Sequence, residues 1–167
     1  MPMSFSGIGP QWCNCTNLTI SPIVFQKAAP IRKLQGFLLL KVGEVELPGE
    51  LERVTIENKG LNSVETGDLE YFTNLNYADF GENELEMESL SNLPNLCELR
   101  LNCNSICSLG DCSGFKKLEV LDLSYNNLAG QIRSAVLSLA TIPNLRSLDL
   151  SGNALQFLPE EMVSDVA

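Results

Sequence analysis

The chain has 167 residues, 44% of them hydrophobic, enough for one modest domain with its own core. It contains no histidine, which excludes Ser-His-Asp and Cys-His catalytic groups, histidine metal sites and the usual proton carrier at neutral pH. The net charge of −10 opposes nucleic-acid binding, and it is unevenly spread: residues 1–43 hold four basic side chains and no carboxylate, whereas from Glu44 onward 21 carboxylates face seven basic side chains, about −14 net.

Residues 1–33 predict a poorly ordered amino-terminal segment, since 4–30 are rich in Pro, Ser, Asn and Cys. The opening MPMSFSGIGPQWCNCTNLTI has neither the positive leader nor the sustained apolar stretch of a secretory signal. The sequons at Asn14 and Asn17 are read as idle on that ground. Cys13 and Cys15 are one residue apart with no second pair following, poor spacing for a metal site. Residues 34–50 predict one or two strands forming a cap; their apolar run at 37–40 is too short to span a membrane.

From residue 51 the chain repeats Leu-x-x-Leu-x-Leu-x-x-Asn-x-Leu. The copies start at Leu51, Leu75, Leu96, Leu118 and Leu145 and read LERVTIENKGL, LNYADFGENEL, LCELRLNCNSI, LEVLDLSYNNL and LRSLDLSGNAL. Apolar residues at positions four and six alternate as in a strand with one buried face. No single copy can bury that face alone, so neighbours must stack into a solenoid spanning 51–167. Position nine places Asn83, Asn104, Asn126 and Asn153 where the strand bends. An amide there can satisfy inward-facing backbone groups of its own turn and of the next. The first copy has Lys59 instead, the mark of an atypical end of the stack.

Between strands, residues 66–73 and 132–142 carry apolar side chains at helical spacing, and Pro94 and Pro143 stop the arcs ahead of the next strand. The Cys- and Gly-rich arc after Asn104 predicts an irregular path. Its neighbourhood holds Cys97, Cys103, Cys107 and Cys112, read as intracellular thiols because the clusters of extracellular repeat caps are missing. Glu82, Glu84, Glu86 and Glu88 alternate along an arc and read as a solvated edge, not a catalytic pair. At the carboxyl end, residues 158–162 begin another arc before the sequence stops at Ala167. Strand 145–150 is therefore expected to have a bare edge, as in a truncated or short form, or one that a partner covers.

The sheet's outer face is the candidate docking surface, because positions three, five and seven point away from the core. Position three supplies Tyr77, Glu98 and Val120, and position five supplies Asp79, Arg100, Asp122 and Asp149. Arg100 is expected to bridge Asp79 and Asp122, leaving Asp122 and Asp149 as surplus acidity for a basic protein, or as a merely solvated surface. No catalytic residue, metal ligand or cofactor is expected, since neither phosphate-binding nor dinucleotide-binding glycine motifs occur.

The repeats identify residues 51–162 as a member of the leucine-rich repeat superfamily. That resemblance implies an α/β solenoid with short parallel strands on the concave face and helices or irregular arcs on the convex face. Segments 3–8, 67–106, 115–128 and 142–162 further resemble one much longer member, while residues 9–40 lie outside the likeness. This closer resemblance implies a non-enzymatic cytoplasmic or nuclear protein linked to the cellular response to ionising radiation. It adds no catalytic residues.

The leading reading is an intracellular protein-interaction scaffold with no nucleic-acid or membrane partner. The alternatives are an extracellular recognition module, for which the sequons and the segment NNLAGQI at 126–132 speak, and a regulatory subunit of a phosphatase or kinase.

Overall fold

Each repeat copy contributes one three-residue strand, and the five strands stack in parallel in chain order. A computed structural model describes residues 32–155. Its elements are β1 (Lys33–Leu34), α1 (Gly36–Gly43), β2 (Arg53–Thr55), β3 (Ser63–Val64), α2 (Thr66–Leu69), β4 (Tyr77–Asp79), β5 (Glu98–Arg100), β6 (Val120–Asp122), α3 (Ile132–Leu139) and β7 (Ser147–Asp149). Short 3-10 turns lie at Pro48–Glu50, Glu88–Leu90 and Leu128–Gln131. The main sheet runs β2-β4-β5-β6-β7, and β1 pairs separately with β3. This is the α/β repeat solenoid that the sequence predicts.

The register aligns like positions of successive copies. Val54, Ala78, Leu99, Leu121 and Leu148 are opposite one another. Together with Ile56, Phe80, Leu101 and Leu123 they form the inner face, and all but Leu148 are buried. Position one adds Leu51, Leu75, Leu96 and Leu118, each nearly sealed from water. A further apolar column stands three residues before each start from the second copy on: Phe72, Leu93, Phe115 and Ile142 fill the space behind the strands. Each fully buried side chain of this kind contributes roughly 1.5–3 kcal/mol, which is why a sheet of three-residue strands is held.

The arcs follow the expected pattern where their sequence is helical. Residues 66–69 form α2, residues 132–139 form α3, and the arc after Asn104 contains no helix up to β6. The cap departs from expectation. Within 34–50 the strand shrinks to Leu34, which together with Lys33 runs parallel to β3; the apolar run 37–40 belongs to α1. A continuous apolar run of that length suits a buried helix as well as a strand, and long-range packing decides between them. The Gly36 amide donates to Asp68 Oδ2 at 2.8 Å, Leu39 is fully buried, and Glu44 closes the helix in a left-handed conformation.

Of the segment expected to be poorly ordered, Arg32 and Lys33 are held. Arg32 exchanges hydrogen bonds with Asn62 at 2.9 and 3.0 Å, and Lys33 pairs with Glu65 at 2.7 Å. The remainder of that segment, with its sequons and Cys13 and Cys15, lies outside the described residues, as does the arc at 158–162.

Candidate docking face

The asparagine ladder fixes where the outer face ends and the bends begin. Asn126 donates to the carbonyls of Leu101 (2.8 Å), Leu123 (2.9 Å) and Ser124 (3.2 Å), and it accepts from the amides of Asn104 (3.0 Å) and Ile106 (2.9 Å). Asn83 repeats this with Ile56, Phe80, Gly81, Lys59 and Leu61. Asn104 reaches Phe80 and Leu85, and Asn153 reaches Leu123 and Leu128. Each amide therefore serves its own turn and the preceding coil, not the following one as expected. The reversal explains Lys59. Among the described residues the sheet has no coil before the first copy for an asparagine to reach, so the position is free to vary.

Just before position nine of each copy the backbone is left-handed: Asn58, Glu82, Cys103, Tyr125 and Gly152 have φ between 52° and 71°. Only one of the five is a glycine. L residues tolerate this conformation at a cost of about 1–2 kcal/mol, so the ladder bonds following it hold the bend in place.

On the outer face, the columns expected from the repeat are the observed register. Arg53, Tyr77, Glu98, Val120 and Ser147 form one row across the sheet, and Thr55, Asp79, Arg100, Asp122 and Asp149 the next. Their side chains interact differently from expectation. Arg100 pairs with Glu98 of its own strand, at 2.9 and 3.1 Å, and bridges neither Asp79 nor Asp122. A guanidinium fork meets a carboxylate two residues away on the same face more readily than two shorter aspartates on adjacent strands. Asp79 is itself buried: it accepts from the Gly81 amide at 3.1 Å and the Tyr77 hydroxyl at 3.4 Å. It thus leaves the set of exposed contact residues.

The aspartates share a local task that the motif did not announce. Like Asp79, Asp122 accepts the amide two residues on, from Ser124 at 2.9 Å, and Asp149 does the same with Ser151 at 2.8 Å. These Asx turns start the bend. The bonds from Ser151 hold the Asp149 carboxyl below its ordinary value. Neither Asp122 nor Asp149 has a salt-bridge partner among the described residues.

At the other end of the face, Arg53 lies over Tyr77, its guanidinium carbon 3.9 Å from the ring centroid, with Arg100 at 5.6 Å from the same ring. Burial, and then the neighbouring Asp79 carboxylate, raise the Tyr77 hydroxyl above its ordinary range. Arg53 stands at position three of the first copy and lies outside the contact residues expected from the sequence. The signal was a cation and an aromatic at the same position of adjacent copies.

A separate shallow groove of about 640 Å³ lies beside the bends of the second and third coils, where Glu84, Glu86 and Glu88 meet Ser105 and Ser108. Its carboxylates are exposed, as a solvated edge requires. No cluster of three or more metal-ligating side chains occurs among the described residues. Cys112 is buried against Met87, and burial pushes its thiol up to about 11.

The comparisons with known proteins agree with this architecture. Residues 83–128 match the leucine rich repeat family model, and residues 116–160 match a model of two copies of leucine rich repeats. X-ray radiation resistance-associated protein 1 of Mus musculus is 34% identical over 133 residues, which cover 77% of this chain and 16% of that protein. The chain thus spans about a sixth of that relative's length.

Proposed function

We propose that this chain, a leucine-rich repeat protein, is a non-enzymatic interaction module that docks a protein partner on the concave face of its sheet. Repeats of this kind suggest protein binding in general. The observation that supports the concave face is the open pair of carboxylates at Asp122 and Asp149, neighbours in register with no salt-bridge partner among the described residues. A partner bringing a basic group meets charge there that the fold does not itself neutralise. The resident compartment in this reading is the cytoplasm or nucleus. A role in the response to X-rays is supported by the name of the mouse relative.

Affinity purification followed by mass spectrometry tests the docking face. Asp122→Lys with Asp149→Lys removes the captured partner, and unchanged recovery from a folded double variant refutes the assignment. Subcellular fractionation with glycosidase treatment checks the compartment, where a mobility shift contradicts it. Survival of irradiated cells depleted of the protein checks the radiation link, where unchanged survival counts against it.

A further inference from the structure

The concave face is electrically divided. At one end Arg53 is exposed, lies over Tyr77, and has no carboxylate within salt-bridge distance among the described residues. In the middle, Arg100 and Glu98 neutralise one another, and Val120 beside them is 36% exposed. At the far end, Asp122 and Asp149 each accept a turn amide through Oδ1 and have no salt-bridge partner among the described residues. Of the remaining carboxylates on this face, Asp79 is buried, and Glu57 stands four residues along the chain from Arg53, about 13 Å away. From β2 to β7 there are four strand steps of about 4.8 Å, roughly 19 Å in all, which an extended chain covers in five or six residues.

We propose that the face takes an extended peptide segment of mixed charge laid across the strands. A carboxylate of that segment meets Arg53 beside Tyr77, an apolar side chain covers Val120, and a lysine or arginine five or six residues from the carboxylate meets Asp122 and Asp149. A wholly basic segment sets a cation against Arg53, and a wholly acidic one sets carboxylates against the aspartate pair. Both suffer like-charge repulsion, so the division gives selectivity as well as attraction. The inference rests on the concave face being the docking surface.

Selection of a random dodecapeptide library on the intact chain tests it, with anisotropy measurements on the enriched peptides. The variants are Arg53→Gln and the pair Asp122→Asn with Asp149→Asn. The asparagines retain an acceptor for the Ser124 and Ser151 amides, so the turns persist. Enriched peptides are expected to carry both signs five or six residues apart. Each variant should weaken binding about three- to tenfold, and that loss should vanish once the matching peptide charge is replaced by glutamine. Enriched peptides of one sign, sensitive only to the aspartate change, overturn the divided-face inference and leave the docking face standing. Peptides indifferent to every concave substitution overturn both. A selection that enriches nothing above scrambled controls also counts against the inference.

Discussion

Replacing Asn126 by alanine probes the ladder at one of its best-connected rungs. Its side chain makes five hydrogen bonds, but not all five backbone partners are lost with it. The Leu123 carbonyl keeps Asn153 at 2.8 Å, and the Ser124 carbonyl keeps the Cys103 amide at 3.0 Å. The groups left without their observed partner are the amides of Asn104 and Ile106 and the carbonyl of Leu101. At about 1 kcal/mol for each buried group left unmet, the loss is about 3 kcal/mol. Water entering the vacated space lowers this toward about 2 kcal/mol. Urea unfolding followed by far-UV circular dichroism measures the total, and hydrogen exchange of the Ile106 amide measures the local part. A change below about 1 kcal/mol at unchanged m, with that amide still protected, refutes the ladder's energetic role. Asn153→Ala should cost less, since its oxygen accepts from the Leu128 amide alone among the bonds shown.

Leu121→Ala removes a sealed core side chain and should cost about 2–5 kcal/mol by thermal or urea melts, whereas Leu148→Ala, at a partly exposed strand, should cost less. Equal losses contradict the packing. A second, outer ladder invites a gain. Asn74, Asn95 and Asn144, each just before a copy start, donate to the carbonyls of Gly49, Thr73 and Lys116 in the preceding coil, and the fourth copy has Lys117 there instead. Lys117→Asn should reach the Pro94 carbonyl and raise stability by about 0.5–1 kcal/mol, and a lower melting temperature speaks against that geometry. Asp149 gives a pH test with a defined sign. Its folded-state value is depressed, so its contribution is present above the ordinary 3.8 and is lost as pH falls through the lower folded value. Carboxyl NMR titration should give a midpoint below 3.8 that rises only partway in Ser151→Ala, whose backbone amide remains, and an ordinary midpoint in the unaltered chain refutes the bond.

The repeat made the rows of the outer face legible because register follows from stacking equivalent positions. Tyr77, Glu98 and Val120 lie side by side for the same reason that Leu99 and Leu121 do. What escaped the sequence depends on side-chain reach or on neighbours distant along the chain. Arg100 had two aspartates beside it in the row and a glutamate on its own strand, and only geometry selects Glu98. The left-handed residues at Asn58, Glu82, Cys103, Tyr125 and Gly152 share no chemistry, since the bend is held by ladder bonds and, after Asn58, by Asn83 of the next coil. The α1 cap was ambiguous in an apolar run and is decided by Asp68, 32 residues from Gly36. The outer ladder has a trace in the two Pro-Asn-Leu triplets at 94–96 and 143–145, but its asparagines precede the hydrophobic repeat and are not part of its period.

The backward reach of the inner asparagines gives the stack a direction in time. During synthesis a coil's bend cannot be finished from within; its amides wait until roughly one more repeat has left the ribosome and offers an oxygen. Peeling coils away from the two ends is accordingly unequal. Strand-ladder bonds are lost from either side, but loss from the later side also takes the acceptor of bend amides such as those of Asn104 and Ile106, while loss from the earlier side leaves those amides their partner.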